Sequence, residues 1–179
     1  MPINKNRLLQ KYAAYQQRGE ALLRLMAPYD DERLNRAPAP GSWSAMQVAH
    51  HLILVESLAL RYVQKKLSFQ PELHKAGWRE WRNLLVLQAY LGTPLKFRAP
   101  DVVGEQHLPI FATLDQTRQQ WQQANAAWRS FLENMPDSLC DKAVYRHPLV
   151  GRLSWAGMLA FFEAHLARHR RQLQRALRS

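Results

Sequence analysis

The segment SWAGMLAFFEAHLARHRRQLQRAL, residues 154–177, combines a long helical pattern with two histidines on its apolar face. Ser154 is a predicted N-cap, and apolar residues then recur at steps of three and four. The inward stripe consists of Met158, Phe162, His165, His169, Leu173 and Ala176. Residues four apart in a helix lie on one face, about 6 Å apart along the axis, so His165 and His169 are neighbours. Buried imidazoles need partners for their ring nitrogens, and a shared metal ion would supply one.

The same period predicts three more long helices upstream of this segment. They cover residues 4–26, a stretch from Ser42 or Ser44 to about residue 67, and residues 113–134. A shorter helix is predicted over residues 78–90, with Trp81, Leu84, Leu85 and Gln88 on one side. Proline and glycine interrupt the chain between these segments, and no alternating pattern predicts a strand. We therefore expect one all-α domain over residues 1–179, a four-helix bundle with an additional short helix in a long crossover loop.

A third histidine lies on the apolar stripe of the second long helix. His51 shares that stripe with Val48, Leu52 and Val55, and with His165 and His169 it would form a three-histidine metal site with an open position. His50 is one position off the stripe, so a role beside the ligands or an exposed position is expected. His147 precedes a proline in a loop, where it is either a turn residue or a group that approaches the site.

The other candidates for chemistry are isolated residues. Glu56 and Glu163 are the predicted general acid or base, and surface or capping roles are the alternative for both. The single cysteine, Cys140, excludes an intrachain disulfide and fits a reducing compartment. No glycine-rich phosphate loop, nucleophile elbow or H-E-x-x-H motif occurs.

Composition limits the choice of compartment and partner. The amino-terminal segment has no apolar signal region and no run is long enough to span a membrane, so we expect a cytoplasmic protein without membrane contact. The net charge is +11, but five arginines of the last helix contribute much of it, and no nucleic-acid motif accompanies them. Specific nucleic-acid binding is therefore not expected. A homodimer stays open, because exposed tryptophans such as Trp78 or Trp155 would mark an interface.

Two stretches resemble a known family. GSWSAMQVAHHL, residues 41–52, resembles the entry to the second helix in the DinB-like (DinB/YfiT) superfamily. HPLVGRLSWAGMLAFFEAHLARHRRQLQ, residues 147–174, resembles the final signature of its DinB_2 branch, in which H-P-x-x-G leads into H-x-x-x-H-x-x-Q. The middle stretch PLKFRAPDVV, residues 94–103, resembles the inter-helix loop of that branch.

The resemblance implies an up-down-down-up bundle and a divalent metal on His51, His165 and His169. We expect zinc or nickel, with iron or manganese as alternatives, because imidazole suits several of these ions. It also implies a metal-dependent enzyme that activates water or a low-molecular-weight thiol, as a hydrolase or a thiol S-transferase acting on a small molecule. The alternative is a non-catalytic metal-binding stress-response module, whose basic last helix contacts an acidic partner or nucleic acid.

Overall fold

The computed structural model describes residues 3–93 and 101–178. The helices are α1 (Lys5–Met26), α2 (Asp31–Asn35), α3 (Ala45–Ser68), α4 (Trp78–Gly92), α5 (Leu114–Asn134) and α6 (Trp155–Arg178). The strands β1 (Tyr145–His147) and β2 (Gly151–Leu153) form an antiparallel hairpin before α6. Single 3₁₀ turns cover Asp101–Val103, Glu105–His107 and Asp137–Leu139. Most of the inter-helix stretch compared with the DinB_2 loop, residues 94–100, lies outside the described residues.

Polar caps determine where the long helices begin. The side chain of Ser44 accepts the backbone N–H of Gln47, whose own side chain accepts the N–H of Ser44. Thr113 and Gln116 form the same reciprocal pair at the start of α5. Each pair satisfies two of the free N–H groups at a helix start, and this chemistry selects Ser44 over Ser42.

The four long helices form an up-down-down-up bundle, as predicted. Contacts between side chains show that α1 runs antiparallel to α5 and parallel to α6, while α3 runs parallel to α5 and antiparallel to α6. The chain must therefore cross the length of the bundle between α3 and α5, and α4 lies in that crossover. This arrangement brings the first half of α3 beside the second half of α6.

Aromatic side chains fill the centre of the bundle. Trp128 is fully buried, with its ring centroid 6.4 Å from Tyr12 and 5.8 Å from Phe162. Trp155, proposed from the sequence as an interface residue, is 1% exposed and its indole N–H donates to the carbonyl of Leu139. That expectation was wrong, because the first turn of α6 packs into the core.

Two local elements differ from the sequence prediction. The proline-rich stretch after α1 contains the helix α2, which Asp30 caps by accepting the N–H of Arg33. The hairpin β1–β2 forms where no strand was expected, with Gly151 at φ +85° on its turn side. Both elements are too short to show a period, and such elements depend on tertiary contacts.

The side of α4 that was predicted to carry Trp81, Leu84, Leu85 and Gln88 faces largely outward. Trp81 is 60% exposed and Leu85 is 42% exposed, whereas Glu80, Leu87 and Leu91 are buried against the bundle. Glu80 faces inward because its carboxylate accepts the N–H of Gly77 at 2.7 Å and contacts His74 at 3.0 Å. The two partners satisfy the buried carboxylate, and hydrophobic periodicity does not predict burial of this kind.

Gly19 offers a test of packing between α1 and α5. A methyl group at this position would lie 2.1 Å from a ring carbon of Trp121, which is 2% exposed. Alanine favours helix by about 1 kcal/mol over glycine, yet overpacking costs about 1–3 kcal/mol, so we expect Gly19→Ala to destabilise the protein. Urea unfolding measures the change. The same substitution at Gly92, where a methyl group meets nothing within 4 Å, is the control.

Candidate metal centre

Three histidines from two facing helices point their ring nitrogens at one another. The Nε2 atoms of His51 and His165 are 3.3 Å apart, and those of His165 and His169 are 3.0 Å apart. One ring nitrogen of each histidine lies within 4.8 Å of the other two. His51 comes from α3, and His165 and His169 lie one turn apart on α6. The structure thus brings together the three predicted ligands.

Hydrogen bonds fix the tautomers of two of these rings. The Nδ1–H of His51 donates to the carbonyl oxygen of Val103 at 3.0 Å, and the Nδ1–H of His169 donates to Oε1 of Gln172 at 2.9 Å. A carbonyl oxygen only accepts, so each Nδ1 carries the proton and each Nε2 presents a lone pair. Metal-binding histidines are typically oriented in this way, with the second nitrogen bonded to an oxygen.

The arrangement of nitrogens fits a metal ion better than it fits hydrogen bonds alone. His165 can supply at most one proton between two Nε2 lone pairs, so the cluster is short of donors. A tetrahedral ion with bonds of about 2.0–2.1 Å separates its ligand nitrogens by about 3.3 Å, close to the two short distances observed. His51, His165 and His169 can therefore hold a divalent ion of the kind that imidazole binds.

Burial keeps the cluster uncharged. Desolvation lowers the pKa of His51 to about 4 and that of His169 to about 3. The pKa of His165 lies well below its usual value, first through burial and then through its histidine neighbours and Arg168. Neutral imidazoles are the metal-binding form, so the ligands need no deprotonation near neutral pH.

Aromatic rings hold the histidines in place. Trp43, at the entry to α3, lies 4.8 Å from the ring of His51 and stacks near His169 at 6.4 Å. Phe161 stacks against His165 at 5.3 Å. Such walls restrict ring rotation and exclude water, which keeps three lone pairs convergent.

Arg168, between the two histidines of α6, connects the site to the end of α4. Its guanidinium donates to the carbonyl oxygens of Leu91 at 3.1 Å and Thr93 at 2.8 Å. These carbonyls belong to the last turn of α4 and to the residue that caps it, where a cation complements the helix dipole. The side chain of Arg168 thus links α6, which carries His165 and His169, to the end of α4 in the crossover.

The two other histidines near the site take different positions. His50 is buried, and its Nε2 contacts the hydroxyl of Thr117 on α5 at 3.0 Å, so it faces away from the cluster and is not exposed. His147 on β1 packs edge-on against Phe161 at 4.6 Å, and its Nδ1 accepts the N–H of Leu149. Burial lowers the pKa of His147 to about 4. His147 therefore touches the wall of the site.

The predicted acid–base residues have partners of their own. Glu56 lies in the bundle core, where an oxygen of its carboxyl group accepts a hydrogen bond from the hydroxyl of Tyr15. Glu163 forms an ion pair with Arg18 at 3.2 Å near the surface. Among the described residues, the metal-ligating groups that gather are the three histidines. A role for either glutamate in catalysis stays a prediction. Cys140 is buried elsewhere, and burial raises the pKa of its thiol, which disfavours a nucleophile.

Two groups that orient the site were not assigned from the sequence. The carbonyl of Val103 belongs to a 3₁₀ turn of the crossover, and nothing in the side-chain pattern identifies it. Gln172 could have been found, because it lies three residues after His169 on the same helix face. An amide at that spacing is a typical partner for the outer nitrogen of a metal-binding histidine.

Gln172 gives a prediction that separates orientation from ligation. We expect Gln172→Leu to weaken metal binding roughly 10- to 100-fold, the usual effect of losing such a partner, while the fold persists. Competition with a chromophoric chelator measures the affinity. Gln174→Leu, two residues further along the same helix, should bind metal like the unaltered protein. Equal affinities for all three proteins would contradict the assignment.

The three convergent histidines lie on the second and fourth long helices of the bundle, where they could hold a metal ion. The sequence model of the DinB superfamily matches residues 14–173, and the chain belongs to this superfamily. The match includes all three histidines of the site. Comparison with curated proteins and with solved structures finds no match. Along the described residues, no helix is both long and apolar enough to cross a membrane.

Proposed function

We propose that the protein is a metal-dependent enzyme that uses His51, His165 and His169 to hold one divalent ion. The observation that carries this proposal is the convergence of three Nε2 atoms, two of which present fixed lone pairs. Zinc or nickel is the preferred ion, with iron or manganese as alternatives, because three neutral imidazoles suit all of them. When bound, such an ion lowers the pKa of a coordinated water or thiol, making a nucleophile available near neutral pH.

We propose a small electrophile or ester as the substrate class, with a low-molecular-weight thiol as the favoured nucleophile. All three histidines of the described cluster would bind the ion, so none of them is left to act as a general base beside it, and no carboxylate joins the cluster. A thiol, with a pKa near 8.5, needs less help than water to lose its proton. Glu163 is paired with Arg18 near the surface, whereas Glu56 is buried in the core, so Glu163 is the more accessible of the two proposed proton carriers.

Elemental analysis of protein prepared without a histidine tag tests the metal, and a substrate panel tests the chemistry. We expect about one divalent ion per chain and turnover of a thiol–electrophile pair or an activated ester that stops when the ion is removed. Metal-free protein of unchanged stability would overturn the metal site. A loaded protein that turns over nothing in the panel would favour the non-catalytic alternative and leave the metal site intact.

A further inference from the structure

The outer face of α4 alternates exposed aromatic and cationic side chains. Its sequence begins Trp78-Arg79-Glu80-Trp81-Arg82, and only Glu80 of these five is buried. Trp78 is 66% exposed and Trp81 is 60% exposed, and Leu85 continues their row one turn further on. We call Trp78, Arg79, Trp81, Arg82 and Leu85 the α4 platform. Two tryptophans so exposed on one helix face are unusual, because indole is strongly favoured in the core or at interfaces.

Further positive charge lies on one side of this platform. The hairpin β1–β2 packs beside α4, where the amide of Asn83 donates to the carbonyl of Arg152 at 3.0 Å. Residues 75–86 and 141–152 contain six cationic side chains, and their acidic residues are Glu80, which is buried, and Asp141, which is partly exposed. The cations are Lys75, Arg79, Arg82, Lys142, Arg146 and Arg152. Asp141 contacts two of the lysines, at 3.6 and 3.7 Å, so the surface keeps a net positive charge.

We propose that the α4 platform binds single-stranded nucleic acid without sequence preference. A single strand presents flat bases and anionic phosphates in alternation, which matches the alternation of indole and guanidinium along α4. Arg82 already lies over the ring of Trp78, 5.1 Å from its centroid, so an arginine can approach a phosphate beside a stacked base. An acidic peptide would satisfy the arginines but would supply no flat groups for the tryptophans. A duplex would keep its bases out of reach.

Nucleic-acid binding by the α4 platform does not depend on the metal site, so a binding titration tests it separately. A fluorescein-labelled oligothymidylate of about twenty nucleotides is titrated with the full-length protein and followed by fluorescence anisotropy over a series of salt concentrations. We expect Arg79→Gln/Arg82→Gln to weaken binding about tenfold at low salt and to reduce the salt slope by about 1.4, near 0.7 for each lost phosphate contact. Removal of the metal ion should leave the curve unchanged.

Matched variants distinguish binding at the α4 platform from attraction to the net positive charge of the protein. Arg171→Gln/Arg175→Gln removes two exposed arginines from α6 and should leave most of the binding intact. Trp81→Phe keeps a ring that can stack and should bind nearly normally, while Trp81→Leu should lose about tenfold in affinity. These side chains are exposed, and circular dichroism checks that the helical content of each variant is unchanged.

Several outcomes would overturn the proposal. Equal losses for the α4 and α6 arginine pairs would mean that only net charge matters. Equal binding by Trp81→Phe and Trp81→Leu would show that base stacking on Trp81 does not contribute to the affinity. A duplex of the same length that binds as tightly, or polyglutamate that competes as well at equal charge, would assign the surface to any polyanion or to an acidic protein.

Discussion

Replacing His51 by alanine is expected to abolish stoichiometric metal binding, and replacing His50 by alanine is expected to preserve it. The Nε2 of His51 is 3.3 Å from that of His165 on α6, whereas the Nε2 of His50 contacts Thr117 on α5. Losing one of three ligands should weaken metal affinity roughly a hundredfold or more, beyond the effect of losing an orienting partner. The content measured by elemental analysis should fall from about one ion per chain to near zero.

The comparison is sharp because the two substitutions are adjacent, on the same helix, and remove the same side chain. His50→Ala removes one partner of the Thr117 hydroxyl, which still donates to the carbonyl oxygen of Thr113 at 2.8 Å, and should cost about 1 kcal/mol of stability. Instability of that size serves as the control for metal loss. Added zinc should raise the melting temperature of the unaltered protein and of His50→Ala, since a ligand that binds the folded state stabilises it. A His51→Ala protein that retains one ion, or is stabilised equally by zinc, would contradict the three-histidine site.

The phase of α3 explains why the sequence could separate these two histidines. Adjacent helical residues are rotated by about 100°, so only one of them can follow the stripe that faces α6. The same reasoning placed His165 and His169 together, and the structure brings all three rings into one cluster. Ligands on regular helices are predictable from period alone once the helices are known to pack together.

The groups that orient the ligands were harder to predict because they depend on the crossover. Val103 contributes a backbone oxygen, which every residue has, and its position depends on how α4 and the following turns lie. The inner face of α4 was also missed, since a carboxylate that caps its own helix replaced an apolar residue there. A hydrophobic period identifies residues that are buried by apolar contacts. It does not identify residues that are buried with hydrogen-bond partners.

Glu56 should make the stability of the protein fall as the pH rises from about 5 to 8. Its carboxyl group is buried, and desolvation raises its pKa from 4.5 to about 8, although the hydrogen bond from Tyr15 acts in the opposite direction. Between these values the folded protein holds a proton that the unfolded chain has released. The free energy of unfolding therefore decreases with pH, by at most about 1.4 kcal/mol per pH unit from this group.

Glu56→Gln should remove this dependence, because an amide stays neutral and its oxygen still accepts the hydroxyl of Tyr15. We expect the variant to match the unaltered protein near pH 5 and to be more stable by a few kcal/mol at pH 8, as measured by urea unfolding with a chelator present. Buried histidines of lowered pKa contribute the opposite slope, but they are common to both proteins and cancel in the difference. Glu163→Gln, at a carboxylate paired with Arg18 near the surface, is the matched control and should leave the slope unchanged. Parallel pH profiles for Glu56→Gln and the unaltered protein would show that the core carboxyl is already ionised, and that the bundle tolerates a buried negative charge held by a tyrosine.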